Sequence, residues 1–108
     1  AERLVATAVA GGVEICFANP GTTEIPLVAA PDSVAQLMAV LCLAEGVVAG
    51  AADGYGRLAD RPAMTVLHLG PGLGNAVSNL HNARRARRSL LLIVDGDQRN
   101  SPLGLDRV

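Results

Sequence analysis

The sequence predicts an α/β domain: a parallel sheet with helices on both faces. Three observations carry that reading. Short apolar runs alternate with segments of helical character. The apolar runs show no hydrophobic–polar alternation, as expected of strands buried on both sides. Glycine- and proline-rich turns separate the two kinds of segment.

The elements follow in order. Residues 2–10, ERLVATAVA, suit a short helix that Gly11 and Gly12 stop. EICFA, 14–18, is a short strand, and NPGTTEIP, 19–26, a loop in which Thr22 or Thr23 can cap a helical turn. PDS at 31–33 breaks the chain again, and LMAVLC, 37–42, is a second strand. A helix is expected from about Ala44 to Leu58. MTVLHL, 64–69, is a third strand, followed by a glycine loop, GPGLGN, at 70–75. AVSNLHNARRAR, 76–87, makes a further helix, and LLLIVDG, 90–96, a fourth strand. The last twelve residues read as irregular. Folds of this kind usually carry five or six strands, so four suggest an incomplete domain spanning 1–108. Loops that follow parallel strands share one edge of the sheet, where ligands of open α/β folds bind.

Composition narrows the function. Half of the 108 residues are hydrophobic, and Phe17 and Tyr55 are the only aromatic ones, so the core is built from aliphatic side chains. A formal net charge of −1 argues against nucleic-acid binding by bulk electrostatics. No apolar run reaches the ~20 residues of a membrane span. No signal peptide is evident; the first residue is not Met, and a start further upstream is expected. Cys16 and Cys42 form no CxxC pair and read as small buried hydrophobes in a reducing compartment, hence a cytoplasmic location.

Two stretches invite chemistry. Gly70, Gly72 and Gly74 follow a strand and precede a helix, a context in which backbone amides approach an anion or a flat ligand. The spacing is G-x-G-x-G, with Asn75 where a dinucleotide fingerprint needs glycine, and a tight strand-to-helix turn explains it equally well. A Rossmann-type nucleotide site therefore rests on this loop alone. The second stretch is LAEGVVAGAADGYGR, 43–57. Gly46, Gly50 and Gly54 recur every four residues and leave a bare helical face. Glycine costs ~1 kcal/mol in a helix, so close packing against another backbone, within the chain or across a dimer, is expected. Glu45 heads this helix among Leu43, Ala44, Val47 and Val48. An acid there complements the helix dipole. Burial among apolar neighbours would also favour its neutral form and let it share a proton with a ring nitrogen.

NPGTTEIPL, AEGVVAGAADGYGRLADRPA and LHLGPGLGNAVSNLHNARRA, in this order and spacing, resemble the N-terminal pyrimidine-binding domain of thiamine-diphosphate enzymes. The similarity runs over about residues 2–95 and is greatest to acetolactate synthase-like proteins and benzoylformate decarboxylase. It implies that Glu45 hydrogen-bonds a nitrogen of the cofactor's aminopyrimidine and favours its imino tautomer. That imine then deprotonates the thiazolium carbon, giving the ylid that attacks a 2-oxo acid. Thr22 matches an active-site serine of the decarboxylase. His68 matches a histidine that moves protons there and that acetolactate synthases lack. Pro20, Gly21, Gly70, Pro71, Gly72 and Asn75 fall in the cofactor-binding loops. Asp53 and Tyr55 belong to the ADGY signature, with packing and interface roles. His81 reads as structural, and Arg84, Arg85, Arg87 and Arg88 as a solvated helix end.

The resemblance also implies that full enzymes are several times longer. A C-terminal domain, absent here, holds the diphosphate and its Mg2+, and no metal ligand is assigned to this chain. The active site forms with a second subunit in a homo-oligomer. The chain alone is then expected to be inactive. The alternative is a non-catalytic interaction module of the same fold, pairing through its small-residue face.

Overall fold

A computed structural model describes residues 2–19, 37–87 and 91–95. Among the described residues the sheet has four parallel strands in the order β2-β1-β3-β4. These are β1 (Ile15–Ala18), β2 (Met38–Leu41), β3 (Met64–His68) and β4 (Leu91–Asp95). The helices are α1 (Glu2–Ala10), α2 (Glu45–Ala59) and α3 (Leu69–Arg85).

Alternate residues of β1 and β3 feed two cores, one on each face of the sheet. Cys16, Ala18, Met64 and Val66 pack with Val5 and Ala8 of α1. Phe17 and Leu67 pack on the other face with Val48, Ala49 and Ala52 of α2 and Ala76 of α3. Helices on both faces explain why these strands are apolar throughout. β2 departs from that pattern. It lies at the sheet edge, and Met38 and Leu41 are exposed.

The helix ends follow from local chemistry. α1 closes on glycine: Gly11 N–H donates to Thr7 O, Gly12 N–H to Val9 O and Val13 N–H to Ala8 O, each at 3.0 Å. Gly12 has φ of 96°, where a side chain would be strained. α2 starts from an extended Ala44 that provides no side-chain cap, so Glu45 supplies the only acid of the first turn. It ends at Asp60 in the left-handed region, whose N–H donates to Gly56 O.

One expectation is corrected. The segment 70–75 is not a loop: α3 begins at Leu69 and takes Gly70–Asn75 into its first turns. Proline is tolerated there because the first helical N–H groups have no intrahelical acceptor. The turn between β3 and α3 is confined to Leu69, at φ of 59°.

Candidate functional site at the carboxyl edge of the sheet

The site residues gather where the parallel strands end. β1 ends at Ala18 and β2 at Leu41, which are paired in register. β3 ends at His68, in register with Asp95, the end of β4. Glu45 opens α2 three residues after Cys42, whose N–H donates to Ala18 O at 2.7 Å. The edge is thus fixed by backbone pairing, and Glu45 and His68 are delivered to it by consecutive β–α units.

Glu45 is half-buried. Its carboxyl stem lies against the first turn of α3. A Cβ on Gly72 would stand 3.3 Å from both Glu45 Cγ and Oε1, and 3.5 Å from the Leu67 carbonyl carbon. Gly72 is buried, and the Glu45 side chain lies this close to α3 because position 72 has no side chain. The apolar neighbours of Glu45 divide. Val48 is buried in the core, whereas Leu43 is 89% exposed and Val47 55% exposed. His68 is half-buried at the end of β3 and immediately precedes the strained Leu69. Gly70 is half-buried, Pro71 exposed, and Asn75 exposed further along α3. Pro20, Gly21 and Thr22 lie outside the described residues, as does Arg88.

The bare face of α2 meets α3 of the same chain. A Cβ on Gly46 would lie 3.6 Å from Asn75 O, and one on Gly50 would lie 3.1 Å from Asn79 Nδ2. Gly54 faces nothing within 4 Å. The stripe is thus an intrachain helix seam over its first two glycines. Asn79 Nδ2 crosses the seam and donates to Gly46 O at 2.7 Å. Sequence reasoning passed over Asn79. Its signal was the matched four-residue spacing of Asn75 and Asn79 against Gly46 and Gly50.

The other signature residues have structural partners. Asp53 is buried and accepts a fork of hydrogen bonds from Arg57, Nε to Oδ1 at 3.0 Å and Nη2 to Oδ2 at 2.9 Å. The Tyr55 ring meets Phe17 edge-on, with centroids 6.3 Å apart. Arg84 and Arg85 are exposed in the last turn of α3, where cations complement the dipole. His81 is exposed on the same helix. Cys16 and Cys42 are buried free thiols. Burial, with a smaller contribution from Cys42, pushes the Cys16 thiol up to about 11. Among the described residues, no group of three His, Cys, Asp or Glu is placed to hold a metal, and no helix is long and apolar enough to cross a membrane.

Comparison with known proteins agrees with this arrangement. Residues 1–102 match the family of the thiamine pyrophosphate enzyme, N-terminal TPP binding domain. A Mycobacterium tuberculosis protein provisionally named acetolactate synthase large subunit IlvX is 58% identical over 87% of this chain and 18% of its own length. Benzoylformate decarboxylase of Pseudomonas aeruginosa is 37% identical over 88% of the chain and 17% of its own. The chain therefore spans less than a fifth of these curated relatives. Among solved structures, benzoylformate decarboxylase from Polynucleobacter necessarius superposes with a TM-score of 0.82 at 28% identity, over 97% of this chain and 20% of that one. A provisionally assigned thiamin diphosphate-dependent enzyme from Mycobacterium smegmatis gives 0.79 at 30% identity, over 92% and 19%. The chain belongs to the N-terminal, TPP-binding domain family of thiamine pyrophosphate enzymes, of the acetolactate synthase and benzoylformate decarboxylase type.

Proposed function

We propose that this chain is the pyrimidine-binding part of a thiamine-diphosphate enzyme acting on 2-oxo acids, as a carboligase or a decarboxylase. One observation carries the reading: the Glu45 side chain lies at the carboxyl edge of the sheet and packs against Gly72, where a Cβ would stand only 3.3 Å from its Cγ and Oε1. In this reading a flat heterocycle resting on the same glycine turn meets that carboxyl. When bound, the cofactor supplies a stabilised carbanion equivalent for bond cleavage or formation next to a carbonyl.

In this reading Glu45 exchanges a proton with a pyrimidine nitrogen. Its place in the first turn of α2 puts it at the carboxyl edge of the sheet. Gly70, Pro71 and Gly72 form the wall on which the ring rests, and Asn75 continues it along α3. Pro20, Gly21 and Thr22, which follow β1 in the sequence, are assigned to cofactor binding by the same reading. His68 moves protons to and from the substrate-derived group, a task suited to imidazole near neutral pH.

The diphosphate and Mg2+ are assigned to a C-terminal domain outside this sequence. A second subunit completes the site in a homo-oligomer, and the exposed Leu43 and Val47 beside Glu45 supply apolar surface for that contact. Two buried free thiols support a reducing, cytoplasmic setting. His68 favours decarboxylation, whereas the higher identity to the acetolactate synthase relative favours carboligation.

The test is calorimetric titration of the full-length protein with thiamine diphosphate and Mg2+, beside Glu45→Gln and His68→Ala. Binding by all three, with turnover of a 2-oxo acid lost in Glu45→Gln, supports the proposal. Unchanged turnover in Glu45→Gln refutes it. Absence of binding by the unmutated protein makes the domain a non-catalytic interaction module.

A further inference from the structure

We infer that Asn79 is the positioning residue for Glu45. The inference rests on the proton-exchange role proposed for that carboxylate. Asn79 stands on the third turn of α3, and its side-chain hydrogen bonds join Gly46 and Asn82, not the Glu45 carboxylate.

Four observations converge on this assignment. The Asn79 side-chain amide donates to the carbonyl of Gly46, the residue directly after Glu45, at 2.7 Å. Its Nδ2 occupies the notch left by the missing side chain of Gly50. Its Oδ1 accepts from Asn82 Nδ2 at 3.4 Å, which orients the amide so that nitrogen faces α2. Ala44, the residue before Glu45, provides no side-chain cap. The first turn of α2 thus lacks the device that usually fixes a helix start, and a side chain from α3 pins it instead.

The geometry explains why the pin matters. Glu45 meets Gly72, which is also on α3. Asn79 and Gly72 therefore hold the backbone and the side chain of the same turn from one rigid helix. If α2 slides or frays by an ångström, the carboxyl loses its place against Gly72, and misplacement of that size can cost about a hundredfold in rate.

Two measurements test the assignment. The first uses the full chain, with amide hydrogen exchange read by NMR in Asn79→Ala and in the near-isosteric Asn79→Asp, whose ionised carboxylate cannot donate. Val48 and Ala49, in the first turns of α2, are expected to exchange at least about fivefold faster, the loss of one net hydrogen bond. Leu58 and Ala59, at the far end, are expected to keep their rates. An unchanged first turn, or an equal rise along all of α2, overturns the inference. Should the alanine variant fail to fold, the aspartate variant carries the test.

The second uses the full-length protein loaded with thiamine diphosphate and Mg2+, in a cycle of Glu45→Gln, Asn79→Ala and the double variant. Turnover is expected to fall tenfold to a hundredfold in Asn79→Ala, with no further loss when it is added to Glu45→Gln. Multiplying losses, or full turnover in Asn79→Ala beside an impaired Glu45→Gln, overturn the positioning role alone. Full turnover in Glu45→Gln removes the role of the carboxylate, and the positioning role with it.

Discussion

Replacing Gly50 and Gly54 by alanine, one at a time, separates helix propensity from the packing of the α2–α3 seam. Each replacement relieves the backbone-entropy cost of glycine and stabilises α2 by about 1 kcal/mol. Gly54 faces nothing within 4 Å, so Gly54→Ala should keep that gain. At Gly50 the new methyl meets Asn79 Nδ2 at 3.1 Å and its Cγ at 3.6 Å. The amide must withdraw by a few tenths of an ångström, and its 2.7 Å hydrogen bond to Gly46 O is the contact that suffers. A net hydrogen bond is worth about 1 kcal/mol, and a part-buried amide left without its partner adds to the loss. The two terms cancel or turn negative, so Gly50→Ala should be neutral to about 1 kcal/mol destabilising. The variants should differ by about 1–2 kcal/mol, and each kcal/mol shifts Tm by roughly 4–8 °C in a domain of this size. Urea melts followed by circular dichroism, with an unchanged m-value, give the comparison. Equal gains in both variants would refute the seam.

Three further outcomes follow from named contacts. Met64, 1% exposed between α1 and the sheet, should cost about 2–5 kcal/mol when cut to alanine, measured by the same melts. The Cys16 thiol ordinarily titrates at 9.0 and is held up to about 11 by burial, so its neutral form stabilises the fold below pH 9. As pH rises from about 9 through 11 the unfolded chain loses that proton first. Stability should fall by at most on the order of 2–3 kcal/mol, and Cys16→Ser should flatten that part of the profile. Glu45→Gln should lower turnover by about a hundredfold or more while leaving stability within about 1 kcal/mol of the parent, since a half-buried carboxyl at a helix start contributes to the dipole and little else to the fold.

The fold was legible because its strands are buried on both faces. That requirement wrote ICFA as an unbroken apolar run and MTVLH as a mostly apolar one, with Thr65 buried and His68 at its end, and left the helices to be read between them. β2 has the same apolar look, yet it lies at an edge. Its composition carries no mark of how many neighbours it has. The start of α3 was misplaced because three glycines and a proline ordinarily signal a loop. Here they lie inside a helix whose first turn must pass against Glu45, a tertiary requirement that local propensity does not express. Glu45 and His68 could be found as polar residues ending apolar runs. Asn79 was harder to find, because its contact lies with a residue 33 positions away and its one signal, the four-residue spacing matched to Gly46 and Gly50, says nothing by itself of which helices meet. Leu69 gave no warning either: leucine is an unlikely choice for a left-handed turn, and nothing beside it announces the strain.

The strand order has a consequence for how the chain is made. β1 is a central strand, but its two neighbours arrive at different times. Cys16 pairs with Ala39 on one side and with Met64, 48 residues further on, on the other. At about 5–20 residues per second of synthesis, one flank of β1 waits about 1–5 seconds after the other has been made. During that interval the nascent chain presents ICFA with an open row of backbone donors and acceptors. A ribosome-bound chaperone, or a pause in translation shortly after Ala63, would act where the risk of mispairing is greatest. Synonymous codon changes between residues 45 and 63 offer a way to lengthen or shorten that exposure without altering a single side chain.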